Sequence, residues 1–232
     1  MHNHFNKIQK KYFNNIGDKK KLYEDLKIII DPLLINKTVL DIGSGGNIFY
    51  DYSLAKKIII LDLSDKMLDK FNNEKIVKVS QDARNMTKIN DKSVDLILII
   101  FTLHHINGQS YNKSVVSLKE TLNQAYKKLS PDGEIFIVEP ILNDLFFLFQ
   151  KALFKLTFFT LNLFKTDMVF FYNEKTIKKY ILSTFNNSNI EVSKIKISGW
   201  VDPLLGTFPG IIKIPSFLMP TSMKSFYIKK IK

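Results

Sequence analysis

Apolar residues along this chain are spaced in two ways. Short, nearly unbroken runs occur at Val39–Ile42, Ile58–Leu61, Val94–Phe101 and Glu134–Glu139, with a weaker run at Lys75–Ser80. Runs of that length, ended by polar or glycine-rich stretches, predict strands, and those apolar throughout predict central strands buried on both faces. Helical spacing marks His4–Asn15, Lys19–Leu34, Ser114–Leu129, Asn143–Lys165 and Glu174–Phe185, and Gly17-Asp18 separates the first two. Ile48–Ala55 can open a further helix after the first strand, and Ser64-Asp65 another after the second, with Ser64 as its cap. Ser130-Pro131-Asp132-Gly133 predicts the turn before the fifth strand, and Ile190–Ser198 and Lys224–Lys232 predict two closing strands. Strands alternating with helices imply an α/β protein with parallel pairing and right-handed crossovers.

A length of 232 residues suits one domain with additions to its core. Residues 1–36 form an N-terminal helical cap, 37–140 the core, and 141–232 the helices, flap and closing strands. Hydrophobic content of 45% and charged content of 24% are ordinary for a soluble globular protein. The absence of cysteine excludes disulfides, thiolate metal sites and cysteine nucleophiles, and no metal site is expected. The polar N-terminal stretch has no apolar signal core, so a cytoplasmic location is expected. A net charge of +12 invites a nucleic-acid reading, but Arg84 is the sole arginine and no basic stripe interleaves with aromatics. A solvated lysine surface is the alternative, and nucleic acid is not the expected partner.

The chemistry gathers around Thr38–Asn47, Thr-Val-Leu-Asp-Ile-Gly-Ser-Gly-Gly-Asn. A strand stops there at Gly43, Gly45 and Gly46, which permit positive φ and close approach of a ligand to the backbone. A dinucleotide fingerprint would need glycine at 48, where this chain has Ile48. Asp41 would repel a pyrophosphate but suits a ligand with positive charge or ammonium donors. A glycine-rich turn without ligand is the bland alternative. The second strand ends in Asp62, 21 residues after Asp41, where an acid can accept from both hydroxyls of a ribose. The third ends in Gln81-Asp82-Ala83 and the fourth in Phe101-Thr102-Leu103-His104-His105, so acids stand at three successive strand ends.

Asp-x-Gly-x-Gly over 41–45, Leu-Asp-Leu-Ser over 61–64, Leu-His-His over 103–105 and Leu-Ser-Pro-Asp-Gly-Glu over 129–134 together resemble the class I S-adenosylmethionine-dependent methyltransferases of small-molecule type. The resemblance covers roughly residues 1–140. Asn47 stands where the family often has a third glycine, and Asp132 replaces another glycine. It implies a Rossmann-like, doubly wound, seven-stranded mixed sheet with its last strand antiparallel, and S-adenosylmethionine as cofactor. Asp41, Gly43, Ser44, Gly45 and Asp62 would hold it, Leu63 and Ala83 would flank the adenine, Asp82 would reach the adenine amino group, and Phe101 would adjoin the site. The expected reaction is methylation of a small-molecule acceptor, on oxygen for preference. Methylation of RNA or protein, and a non-catalytic cofactor-binding module, are the competing readings.

His104, His105 and Glu139 lie at the ends of the fourth and fifth strands, which open into the same crevice as the glycine loop. An imidazole there can take a hydroxyl proton at neutral pH, with the carboxylate orienting it. His104 is the favoured base, with His105 in a packing or capping role, and two structural histidines are the alternative. Phe5 and Tyr12 resemble the family's N-terminal lid, or are simple packing. Phenylalanine and leucine crowd Asn143–Lys165 beyond what a core stripe requires, and Gly199–Ser222 holds four prolines and Trp200. These could form an acceptor pocket with Tyr172 and Trp200, a shallow membrane seat, a dimer interface or ordinary core. The protein is expected as a monomer or homodimer.

Overall fold

A computed structural model describes residues 20–164, 168–186, 188–196, 200–201, 214–215 and 220–230. The expected helix His4–Asn15 and Tyr12 lie outside these residues.

The apolar runs form the strands β1 (Thr38–Ile42), β2 (Lys57–Asp62), β3 (Ile76–Ser80), β4 (Val94–Ile100) and β5 (Leu129–Leu142). With β6 (Ser188–Ile195) and β9 (Thr221–Lys230) they build one seven-stranded sheet of order β3-β2-β1-β4-β5-β9-β6. All neighbours pair in parallel except β9, which runs antiparallel to both β5 and β6. The doubly wound order with one reversed strand is the expected one. The closing hairpin forms the sheet's edge as expected, but β6 is the edge strand, and β9 lies inside.

Successive β4 side chains point to opposite faces. Leu96 and Leu98 pack with β1 Val39, β2 Ile58 and Ile60, and the buried stripe Leu26, Ile30 and Leu34 of helix α1 (Lys20–Leu34). Ile97 and Ile99 face the other side, against Leu118 and Leu122 of α3 (Tyr111–Lys128) and Ile177 and Ile181 of α6 (Glu174–Thr184). Between β2 and β3 lies the short α2 (Asp65–Leu68). Helices α4 (Asp144–Ala152) and α5 (Phe154–Leu163) follow β5, and β7 (Trp200–Val201) pairs with β8 (Ile214–Pro215).

Several elements depart from the sequence reading. Ile48–Ala55 forms no α-helix but only a 3-10 turn at Tyr52–Leu54, opened by the Asp51 carboxylate accepting from the Ser53 amide at 3.1 Å. Ser64 precedes α2 without a side-chain capping bond; its N–H instead donates to Asp62. The single helix expected from Asn143 onward is two, Asp144–Ala152 and Phe154–Leu163, bent at Leu153, and Phe147 and Phe154 from either side of the bend both reach the Phe170 ring. Ser130–Gly133 is absorbed into β5 as an irregularity: Val94 pairs with Leu129 and Leu96 with Glu134. The proline-rich stretch keeps a two-residue ladder, Trp200 opposite Pro215.

Candidate active site

Gly43, Gly45 and Gly46 all have positive φ (74°, 61° and 74°), so the chain leaving β1 curls in a way side-chain-bearing residues resist. A Cβ on Gly43 would stand 2.4 Å from Thr102 Cγ2, and one on Gly46 would stand 2.7 Å from the Met67 carbonyl oxygen. The loop is thus a glycine cradle packed tightly on Thr102 and Met67. Asp62 braces it: one carboxylate oxygen accepts the Gly45 N–H at 3.1 Å and the other the Ser64 N–H at 2.9 Å. Ser44 Oγ is buried there with no hydrogen-bond partner among the described residues, an uncommon state that a ligand donor or acceptor would relieve.

Asp41 is 3% exposed and accepts from the Tyr50 hydroxyl at 2.7 Å. Burial pushes its carboxyl up to about 7; the Tyr50 hydrogen bond works against this, and the nearby Asp62 charge adds to it. Burial and the Asp41 charge raise the Tyr50 phenol well above its usual range. Tyr50 is absent from the sequence reading. It reaches Asp41 because the segment after the glycines folds back instead of continuing as a helix. Around it, Tyr23 of α1 packs on Phe49 (4.7 Å between ring centres) and on Phe101 (6.4 Å), which brings the N-terminal helix over this end of the sheet.

Asp82 sits after β3 as expected, but its carboxylate is already engaged. Arg84 Nε lies 3.0 Å from both oxygens and Nη2 2.5 Å from Oδ2, a bidentate fork. Burial tends to raise this carboxyl, but hydrogen bonds from the Arg84 side chain and amide outweigh it and hold it below the usual range. An adenine contact by Asp82 would have to share it with Arg84. Leu63 and Ala83 follow β2 and β3, and Ala83 packs partly buried against the core.

The histidine turn is built around Glu139, 1% exposed within β5. Its Oε1 accepts the Thr102 and Leu103 amides at 2.7 and 2.6 Å, and its Oε2 lies 2.6 Å from His104 Nδ1. A carboxylate accepting on every side fixes the tautomer: Nδ1–H donates to Glu139 and Nε2 keeps its lone pair. The ring is stacked on Phe171 at 5.2 Å and lies 4.2 Å from that of His105. Thr102 Oγ1 donates toward the Ile42 carbonyl at 3.0 Å, joining this turn to the end of β1 and the glycine loop. Asn107, also missing from the sequence reading, donates from its amide to the His104 and Met168 carbonyls at 2.9 and 2.7 Å. Phe101, on the way into the turn, has φ 54°, a strained position for a residue with a side chain.

Tyr172 does not line an open pocket. It is 1% exposed in the core, and its hydroxyl donates to the Ser114 carbonyl at 3.1 Å. Trp200 is described only through the backbone of β7. A cavity of 580 Å³ lies behind the histidine turn, between Arg84, Asn107, Lys113 and Ser117 on one side and Phe158 and Asn162 of α5 on the other. No glycine-loop residue lines it. Among the described residues no cluster of histidine, aspartate and glutamate could hold a metal ion, and no helix is long and apolar enough to cross a membrane.

A doubly wound sheet with one reversed strand, a glycine cradle after β1 and an acid at the end of β2 are the features of the class I methyltransferase fold. Residues 40–137 match the family model described as a methyltransferase domain. Over those residues the chain is similar to methyltransferase domains, and its fold is the one that class I S-adenosylmethionine-dependent methyltransferases share. No curated protein matches the chain by sequence. Solved structures are similar in fold. An S-adenosylmethionine-dependent methyltransferase from Thermotoga maritima is 14% identical with TM-score 0.65, covering 100% of both chains. A chain from the complex of the Haloferax volcanii Trm112 methyltransferase activator with a methyltransferase is 13% identical with TM-score 0.65, over 97% of this chain and 96% of that one. The N-methyltransferase NodS from Bradyrhizobium japonicum, solved with S-adenosyl-L-homocysteine, is 9% identical with TM-score 0.58, over 92% and 88%.

Proposed function

We propose that the protein methylates a hydroxyl of a small molecule, with His104 as general base and Glu139 holding it. The observation that carries this reading is the buried pair Glu139 Oε2 to His104 Nδ1 at 2.6 Å, formed between β5 and the turn that follows β4. When bound, S-adenosylmethionine supplies a methyl group already activated on a sulfonium. The protein's task is therefore to align the acceptor and to remove its proton. His104 Nε2 takes that proton, and Glu139 stabilises the imidazolium that results.

The cradle fits the cofactor. Bare backbone at Gly43, Gly45 and Gly46 admits its chain, and the unpartnered Ser44 Oγ awaits a polar group. Asp62, which accepts the Gly45 and Ser64 amides, holds the ribose hydroxyls in this reading. In this reading Asp41 holds the α-amino group, Leu63 and Ala83 flank the adenine, and Phe101 adjoins them. Replacing Asp62 with alanine should weaken S-adenosylmethionine binding by about 1.5–3 kcal/mol, the value of a hydrogen bond to a charged group. Calorimetry showing wild-type affinity would remove Asp62 from the site.

Asp41 sets a pH dependence. Its carboxyl, raised to about 7 in the folded protein, favours the protonated form, so in the free protein its contribution to stability is lost as pH rises through about 7. An ammonium group beside it favours the opposite, ionised form. Cofactor affinity should therefore fall as pH drops below about 7, by at most about tenfold per unit, and Asp41→Asn should flatten the profile. An unchanged profile in that variant would place the amino group elsewhere.

Methylation on nitrogen is the second reading. NodS is an N-methyltransferase, and a base at His104 would serve an ammonium acceptor as well. The deciding experiment incubates the protein and methyl-labelled cofactor with cell extract and locates the label by mass spectrometry. Label on oxygen supports the reading, label on nitrogen selects the second, and no transfer by protein that binds the cofactor overturns both.

A further inference from the structure

The helices after β5 carry more apolar surface than the core takes up. Phe147 and Phe154 are buried, and Phe158 and Leu161 pack against the core from α5. That is the stripe a core-facing helix needs. Outside it, Leu145, Leu148 and Phe149 of α4 and Leu156, Phe159 and Leu163 of α5 are 58–66% exposed. Their spacing, i, i+3, i+4 on one helix and i, i+3, i+7 on the other, gives each helix a single outward stripe.

Charge identifies what this face meets. Residues 145–164 contain Lys151 and Lys155 and no carboxylate. Lys151 lies over the Tyr111 ring at 4.4 Å, and Lys155 has no ion-pair partner among the described residues. A second copy would bring the same lysines, and a net charge of +12, against themselves. An anionic bilayer presents opposite charge around an apolar interior, which matches an apolar stripe that has Lys155 beside it and no carboxylate between residues 145 and 164. The inner side of α5 is equally telling: Phe158 and Asn162 line the cavity that Asn107 shares, and Asn107 is bonded to the His104 carbonyl. One helix thus separates the outward apolar face from the cavity behind the histidine turn.

We propose that the outer face of α4 and α5 seats the protein on an anionic lipid surface, and that the acceptor is an amphiphile drawn from that surface with its reacting hydroxyl at the polar end. The second half rests on the function proposed above; the first stands without it. Flotation with vesicles of phosphatidylcholine, with and without phosphatidylglycerol, tests the seat in the absence of cofactor, so a failure of methyl transfer leaves its result untouched. The protein should float with the anionic vesicles and not with phosphatidylcholine alone. Lys155→Gln should bind about fivefold more weakly, the effect of one lysine near an anionic surface. The triple variant Phe149→Asp, Leu156→Asp, Phe159→Asp should lose flotation while keeping its circular dichroism and cofactor affinity. A wild-type dimer that this variant dissociates would assign the face to a second copy. A wild-type monomer that never floats would mean that the face is covered by the chain itself. Either result overturns the proposal. With the seat established, vesicles carrying hydroxylated amphiphiles should yield labelled lipid, and label confined to water-soluble products would overturn the acceptor class.

Discussion

Replacing His104 with alanine should lower kcat by about 10²–10⁴-fold and leave cofactor affinity nearly unchanged. The ring's only hydrogen bond among the described residues is to Glu139 Oε2, whereas the Thr102 and Leu103 amides are held by Oε1. The turn therefore keeps two of its anchors when the imidazole goes. The link to the glycine loop runs through Thr102 and is untouched. Glu139→Gln separates holding from folding. The amide oxygen can still accept from Thr102 and Leu103, but its NH₂ would face Nδ1, drive the ring proton to Nε2 and remove the base. That variant should stay folded and lose most of its turnover, as measured by steady-state kinetics on the identified acceptor. Full turnover with a flat pH profile in the His104 variant would reduce the site to alignment alone.

Gly43→Val should abolish measurable cofactor binding. A side chain at φ 74° costs about 1–3 kcal/mol of backbone strain before any contact is counted. Its Cβ would also stand 2.4 Å from Thr102 Cγ2 and 2.6 Å from Thr102 Oγ1, so Thr102 must move. Thr102 is bonded to both Ile42 and Glu139, and its displacement would reach the histidine turn too. A double variant with Thr102→Ala should recover part of the binding if the clash dominates, and none if backbone strain does. Calorimetry recording wild-type affinity for Gly43→Val would show that the cradle does not hold the cofactor.

The strands were legible because β1, β2 and β4 are buried on both faces and so read as unbroken apolar runs. The acids Asp41, Asp62 and Asp82 were legible because a parallel sheet aligns its strand ends, so sequence spacing reports spatial neighbourhood. What was hidden depends on the chain turning back on itself. Tyr50 looks like one aromatic among many until the segment after the glycines folds over Asp41. The Arg84 fork shows no signal beyond the side chain's being two residues from Asp82. The bend at Leu153 has neither proline nor glycine to announce it, and only the convergence of Phe147 and Phe154 on Phe170 accounts for it. Asn107 was missed because its partners are carbonyl groups, which leave no trace in residue identity.

The position of β9 also governs how the molecule can be made. Its residues pair with Glu134–Leu142 on one side and Ser188–Ile195 on the other. Until residues 221–230 have left the ribosome, β5 has an open ladder and β6 has no neighbour in the sheet. The nascent chain thus carries the finished cofactor half beside an exposed strand edge, the state most prone to pairing with a neighbouring chain. Closing it joins residues about ninety positions apart, a slow step by loop entropy alone. Shortage of chaperones during synthesis should harm this protein at that late stage, and a truncation removing β9 should aggregate while leaving the glycine cradle's own strands intact in sequence.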